Sequence, residues 1–456
     1  MTNKNNFYIL LAVTLSAFLT PFMGSAVNVA LPVIGKEFSM TALALGWIVS
    51  SFILAAAITL VPLGRVSDIY GHRKIFLYGA LIFTISSSLC ICAPASSVLI
   101  LFRTIQGIGG AMIFSTGTAL LISHYPAQKR GRILGINLAA VYSGLTIGPF
   151  VGGLLTQHFG WRYIFLFAAF LGVLIILTIA PLARQERPEA RGENFDYAGS
   201  LIYGAALFSI MYGFSLLPAR PAALLIFAGI LGLFFFVLRQ LKIPFPLLDI
   251  RLFMENRVFA FSNLAAMIHY CATFAVTFLL SLYLQQVKML SPAQTGFILV
   301  AEPVVMALCS PFAGRLSDRF EPQIIASSGM ALTVFGLCLL MFISPATTTC
   351  YIITSLILLG IGFALFSSPN VNATMSSVGN KFYGVASATL ATMRLTGQMF
   401  SMGITMLVFA VILGQHALGA ADNLLLLKSA RIIYFILAVV CVFGIFASAA
   451  RGKVHK

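Results

Sequence analysis

Charge is scarce in this chain, and negative charge is scarcest. Of 456 residues only 9% are charged, with 12 Asp and Glu against 28 Lys and Arg, while 60% are hydrophobic and the mean hydropathy is +1.00. So little polar surface cannot clothe a water-facing domain of this size, and the solvent of the chain is read as a lipid bilayer. The seven cysteines offer no covalent framework. Cys271, Cys309, Cys338 and Cys441 lie in apolar runs as small fillers, and Cys90 and Cys92 sit too close together, so neither a disulfide nor a metal site is expected. A nucleophile–base pair, a metal-ligand cluster and a nucleotide loop are missing too, which argues against an enzyme.

What is present is a series of long apolar runs. Scanning for about 20 residues with almost no charge places spans at 7–31, 42–63, 75–93, 97–123, 133–157, 162–182, 197–217, 222–241, 258–286, 293–313, 323–343, 349–370, 385–413 and 431–450. That is about fourteen helices. Gly and Pro scattered inside the runs favour helices over barrel strands, whose alternation of polarity is not seen. The first run continues past signal-peptide length to Pro32 and is expected to be retained; its cleavage would leave an odd helix count.

The formal net charge of +16 invites a nucleic-acid reading. Its distribution follows the positive-inside bias instead. With both termini in the cytoplasm, only Lys36, Arg162, Arg220, Lys288, Lys428 and Arg431 fall outside, and Arg103 and Arg394 lie within spans. The expectation is a multi-pass protein of a cytoplasmic (inner) membrane, with membrane lipids as partners, no nucleic acid and no required oligomer.

Gly64-Arg65-Val66-Ser67-Asp68 closes the second run, and Gly314-Arg315-Leu316-Ser317-Asp318 closes the tenth. A basic turn repeated in two halves of an apolar chain indicates a duplicated transporter. The expected division is a six-helix bundle at 1–183, two inserted spans with their cytoplasmic linkers at 184–257, and a second six-helix bundle at 258–456. In the first copy Gly64 and Gly71 would permit a tight reversal. Asp68 can cap a helix N-terminus, and Arg65 and Arg73 can hold lipid phosphates or carbonyls. An ordinary positive-inside loop is the alternative for one copy taken alone.

Within spans, polar residues are few enough to name. Arg103, Gln106, Gly107 and Gly110 share one face of span four, and an unpaired arginine there costs about 2.5–3.5 kcal/mol. Arg103 therefore faces a cavity or bonds backbone carbonyls of span one. Gly144, Gly148 and Gly152 recur every four residues beside Pro149 and Gly153, a stripe that lets another helix approach closely, as packing or as a seal that opens and closes.

These elements resemble the major facilitator superfamily, in particular its fourteen-helix drug:proton antiporter branch. The matches are Gly64 to Lys74, Arg103 to Gly110, Gly144 to Gly153, Asn28 to Pro32, Trp161 to Phe165 and Phe195 to Tyr197. The likeness spans essentially the whole chain but is looser in the second half, where Gly314 to Asp318 and Gly384 to Gly397 carry it. It implies an all-α membrane protein, two pseudo-symmetric bundles that rock about a central cavity, a cytoplasmic gate at Asp68 with its counterpart Asp318, and an antiporter signature in the glycine stripe. Export of a small-molecule substrate in exchange for protons follows as the leading expectation, with the proton gradient as energy source and no cofactor. The branch carries an acid in span one where this chain has Met23.

Glu302, before Pro303, is the one acid deep in a span, and a carboxylate there is costly to keep charged. It is the candidate for proton coupling; a neutral hydrogen-bonded acid or an ion pair with Arg394 are the alternatives. Arg394, Gly397, Gln398 and Ser401 form a polar face in span thirteen that is assigned to the cavity or to a network with span ten. Asn263, His269 and Tyr270 in span nine, and Phe22, Met23, Asn28, Asn137 and Tyr142 in the first bundle, complete the candidate lining, although a lone histidine such as His269 is more often a hydrogen-bonded core residue than a proton relay. A dedicated exporter of an endogenous metabolite, an uncoupled facilitator and a non-transporting receptor remain alternatives.

Overall fold

A backbone in lipid must satisfy its own N–H and C=O groups, so apolar runs of this length become helices. The computed structural model describes residues 3–182, 192–379, 383–414 and 422–452. Its helices are α1 (Asn3–Glu37), α2 (Ala42–Tyr70), α3 (His72–Ile91), α4 (Ser96–His124), α5 (Ala127–His158), α6 (Arg162–Ile179), α7 (Tyr197–Leu216) and α8 (Arg220–Gln240). They continue with α9 (Arg251–Glu255), α10 (Arg257–Leu282), α11 (Pro292–Leu299), α12 (Ala301–Arg319), α13 (Pro322–Leu340), α14 (Thr349–Ser376), α15 (Tyr383–Ile412) and α16 (Asn423–Ala450). Among the described residues fourteen segments are long and apolar enough to cross a membrane. Span nine is α10 extended by a π-helical turn, Tyr283–Val287, and span ten is α11 plus α12.

Two termini and the span ends are tied at one face, here called the termini end. Asn6 Nδ2 donates to His124 O at 3.2 Å, Asn256 Nδ2 to Ser377 O at 2.6 Å, and Arg257 Nε to Ala450 O at 2.9 Å. The opposite face is the far end. Both basic pentapeptides lie at the termini end, and neither is a loop. α2 runs unbroken to Tyr70 and α12 to Arg319; without a proline in the segment the helix keeps satisfying its own amides. The reversal is made at Gly71, whose φ of 106° suits glycine. The two copies carry the same bond: Ser67 Oγ donates to Gly64 O at 2.6 Å, and Ser317 Oγ to Gly314 O at 2.8 Å.

The repeat extends to helix packing. A Cβ on Gly144 of α5 would collide with Phe18 O of α1, and one on Gly397 of α15 with Met267 O of α10. Likewise Gly107 of α4 sits on Phe52 O of α2, and Gly360 of α14 on Glu302 O of α12, where a Cβ would come within 2.6 Å. Equivalent helices in the two halves are therefore held by equivalent glycine contacts.

The inserted α7 and α8 pack on each other, and α7 lies against both halves. Tyr203 OH donates to Ala57 O of α2 at 3.3 Å, while Gly403 of α15 faces the Phe214 ring. Most of the linker expected at Arg184 to Asp196 (183–191) lies outside the described residues, as do Lys381 and the last four. The linker from Lys242 to Arg257 contains only the short α9.

Asp196 anchors the insert. Its carboxylate caps α7 by accepting from Gly199 N at 2.9 Å and receives Arg239 Nη2 at 2.7 Å and Gln240 Nε2 at 2.9 Å. Gln240 in turn accepts from Leu247 N at 2.6 Å, fastening the linker. Burial alone would raise the Asp196 carboxyl, but these hydrogen bonds outweigh it and hold it below the ordinary carboxylate range. Because the folded value is depressed, the stabilisation is present above the unfolded value and is lost as pH falls through the folded one. Asp196→Ala is expected to cost about 1 kcal/mol through the cap alone. The melting-temperature gap between wild type and variant in detergent should be constant down to about pH 5 and narrow below about pH 4; a gap indifferent to pH would contradict the charged staple.

Candidate functional site

Only backbone without side chains can bring two helices into contact in lipid at short range, and the stripe of α5 uses this on two fronts. Gly144, Gly148 and Gly152 all face α1, where a Cβ on Gly152 would lie 2.7 Å from Ala26 Cα. Gly153 instead faces α11 of the other half, with a Cβ position 2.5 Å from Pro292 O, and Gly296 of α11 rests on Pro149 O. The stripe is thus part intrabundle packing and part seam between halves.

That seam gathers toward the far end. Ala293 N donates to Gln157 Oε1 at 3.2 Å, and Gln285 Nε2, on the π-helical turn, donates to Val29 O of α1 at 2.8 Å. On the other flank Gly46 of α2 abuts Met406 of α15, and Ser50 Oγ lies 3.4 Å from Met406 Sδ. An extra residue in a helix re-aims the side chains beyond it, and here the bulge delivers Gln285 to the first half.

Midway along the spans the two halves meet through polar side chains. Ser310 Oγ of α12 lies 3.3 Å from the Tyr142 hydroxyl of α5. Ser367 of α14, Tyr270 of α10 and Arg394 of α15 face the same phenol. The Arg394 guanidinium stands 5.4 Å over the Tyr270 ring, and Phe363 meets Tyr270 edge-on at 5.3 Å. One residue from the first half and five from the second therefore form a single polar and aromatic cluster.

Three of the sequence candidates, Tyr142, Tyr270 and Arg394, are brought together there, and Gln398 lies half-buried one turn from Arg394. Arg103 sits elsewhere. It is 1% exposed, donates from Nε to Ile48 O at 3.2 Å, bonds Gln106 Oε1, and lies 4.5 Å over the Phe52 ring. Its carbonyl partner belongs to span two rather than span one, because the glycines at 107 and 110 draw α4 onto α2. Phe22 and Met23 are buried side chains rather than open lining; Phe22 stacks on Phe18 and meets Phe167 at a tilt of 54°. Asn263 is buried and turns its amide to its own helix at Phe259 O, 2.9 Å away. His269 is buried against Phe366 at 4.1 Å, with neither ring nitrogen hydrogen-bonded among the described residues. Asn28 and Asn137 each hold a buried Oδ1 with no partner among the described residues. Ser401 takes the amide of Ala275 at 3.0 Å, a packing role between α15 and α10.

The residues expected at the gate bind mainly within their own half. Arg65 pairs with Glu193 and lies 3.7 Å from Asp68, which is also 3.7 Å from His72. Arg73 is buried, donates to Leu182 O at 3.0 Å and contacts His124. Asp318 is exposed at the end of α12.

Glu302 occupies the first turn of α12, just after span ten breaks at Val300. The break has a covalent cause, since Pro303 has no N–H for the Leu299 carbonyl. Among the described residues Glu302 is in no ion pair, with Arg394 or any other cation. A helix N-terminus favours its charged form, and the membrane interior its neutral form. Sequence reading missed Ser310, Ser367 and Phe363, which carry no local signature, and the pair Gly153–Gly296, whose second member only the fold reveals.

Comparison with known proteins bears on the family and the fold. A family model described as Major Facilitator Superfamily matches residues 13–402 and 262–453. The chain is 29% identical over 397 residues to "Riboflavin transporter RibZ" of Clostridioides difficile, covering 86% of this chain and 85% of that one. It is 28% identical over 409 residues to "Multidrug resistance protein Stp" of Mycobacterium tuberculosis, covering 88% and 75%. In fold it resembles a solved bacterial homologue of the human lysosomal transporter Spinster, with a TM-score of 0.70, 17% identity and coverage of 99% and 98%.

The seam makes a sharp prediction. In Gly296→Val the new side chain meets Pro149 O, so the far end cannot close as described. Spin labels at Lys36 and Met289, on either side of that end, should move apart in pulsed-EPR distance measurements relative to the parent; an unchanged distance distribution would mean the glycine contact does not set closure.

Proposed function

The chain belongs to the Major Facilitator Superfamily, and from that premise we propose that it exports a small organic solute across the cytoplasmic membrane in exchange for protons, by alternating access. It is a multi-pass membrane transporter of that family and not an enzyme. The cluster of Tyr142, Ser310, Ser367, Tyr270 and Arg394 carries the reading, because a site built from both halves is remade whenever the halves tilt. The relatives named for riboflavin and for drug resistance handle small organic solutes, which supports the size class. The positive-inside bias supports cytoplasmic termini, and hence a seam closed on the outer side.

Protons need a group that gains and loses charge inside the membrane. Glu302 is suited to this by position: an acid without an ion-pair partner, at a helix break, beside the Tyr434 phenol whose hydroxyl has no hydrogen-bond partner among the described residues. It lies eight residues, roughly 12 Å along the helix, from Ser310. Both sit on α12, so a tilt of that helix moves the proton site and the solute site together. One charge crossing 100 mV contributes about 2.3 kcal/mol, a useful drive for one solute.

Proteoliposomes test this. With riboflavin as the first solute and others chosen by thermal-shift screening, wild type should accumulate solute in proportion to an imposed proton gradient. Glu302→Gln should keep downhill exchange and lose the gradient response. Equal responses in the two proteins reject Glu302 as the coupling group, and no response in wild type favours a facilitator.

A further inference from the structure

We infer that the seam cluster selects organic anions: a carboxylate or other oxyanion held by Arg394, with an apolar or aromatic body lying against Tyr270 and Phe363. The inference rests on reading this cluster as the solute site. Two arginines lie well inside their spans, Arg103 in α4 and Arg394 in α15, and the protein meets them differently.

Arg103 is finished by the protein. Its Nε has the Ile48 carbonyl, a second nitrogen has Gln106, the face has Phe52, and Gln106 is itself tied to Ser87 Oγ at 2.7 Å. Arg394 is not. Its Nε is buried without a hydrogen-bond acceptor among the described residues, and no carboxylate of those residues lies within 4.0 Å of it. Among the described residues it meets the face of Tyr270 and, electrostatically, the Tyr142 phenol. A guanidinium does not shed its proton, so in a membrane interior this cation needs acceptors, and an oxyanion would supply the ones that the described residues do not. The acids at the span ends are engaged elsewhere: Glu37 with Arg162, Asp196 with Arg239, and Glu193 with Arg65.

The neighbours of Arg394 suit an oxyanion. Tyr142, Ser310 and Ser367 bring three hydroxyls to the same place from α5, α12 and α14; Ser310 shares its one proton between Met306 O at 2.6 Å and the Tyr142 oxygen at 3.3 Å, so the phenol, an acceptor from Ser310, keeps its own proton for a solute oxygen. Tyr270 and Phe363, set at 84° to each other, supply an angled aromatic wall for the rest of the solute. The donors lie on both halves, so a bound anion bridges the seam.

Three probes that differ only in head charge decide the matter: 2-naphthoate, 2-naphthylmethanol and 2-naphthylmethylammonium, titrated calorimetrically into purified full-length protein in detergent. A charge-assisted hydrogen-bonded contact is worth about tenfold or more in affinity, so wild type should bind the naphthoate at least that much more tightly than either analogue. Arg394→Gln should abolish the preference while changing naphthylmethanol affinity by less than about twofold, and Arg394→Lys should restore part of it. Tyr142→Phe, which removes one donor and little volume, should weaken naphthoate alone. The unliganded melting temperature reports whether each variant is folded. Equal binding of the three probes, no binding of any, or a preference that survives in folded Arg394→Gln or is untouched by Tyr142→Phe overturns the inference. No gradient is present in this assay, so a protein that prefers the anion but ignores protons in liposomes refutes the exchange reading alone.

Discussion

Helices in lipid gain nothing by hiding apolar side chains from one another, so the close approach of backbone to backbone through glycine is the contact on which the rest of this molecule depends. Gly144 on α1 and Gly397 on α10 seat the equivalent helices of the two halves; Gly107 on α2 and Gly360 on α12 do the same one layer away. These contacts lie within each half. Gly153 and Gly296 use identical chemistry between the halves, beside the hydrogen bonds that Gln285 donates to Val29 O and that Gln157 accepts from Ala293 N.

Against this apolar background each interior charge has a definite standing. Arg103 is a structural cation whose bonds are closed by α2, α3 and α4. Arg394 and Glu302 have no ion-pair partner among the described residues and both belong to the second half, Glu302 on α12, which packs on α5, and Arg394 on α15, facing the Tyr142 phenol of α5. Proton entry and anion exit both carry charge inward in the electrical sense. An exchange of one for the other would draw about twice 2.3 kcal/mol per 100 mV, more than a neutral solute would gain.

Much of the fold was legible in the residues. Fourteen apolar runs became fourteen candidate spans, because length and hydropathy leave a backbone in lipid no alternative to the helix. The duplicated pentapeptides do lie at one face and do share a hydrogen bond, although both proved to be helical rather than turns, with Gly71 alone making the reversal. The cluster was legible only in part. Tyr142, Tyr270 and Arg394 stood out as polar residues in apolar runs, whereas Ser310 and Ser367 are unremarkable in sequence, since a serine that bonds its own helix, as Ser310 does with Met306 O at 2.6 Å, is common in spans. A cavity is expected at Phe22 and Met23, and for Arg103 either a cavity or the carbonyls of span one, because position within a span says how deep a residue lies but not which neighbour it faces.

The chain by itself therefore determined the solvent, the number of crossings, the doubling and the places where charge is rare. It did so because each follows from transfer free energy and local backbone chemistry, which act along the sequence. Only the tertiary structure decided that Arg103 is satisfied and Arg394 is not, that the glycine stripe divides between α1 and α11, and that a phenol of one half meets a serine of the other. Those outcomes depend on the azimuth of each helix against its neighbours, and a difference of one glycine's approach turns a side chain from the lipid, or from a core, into the seam.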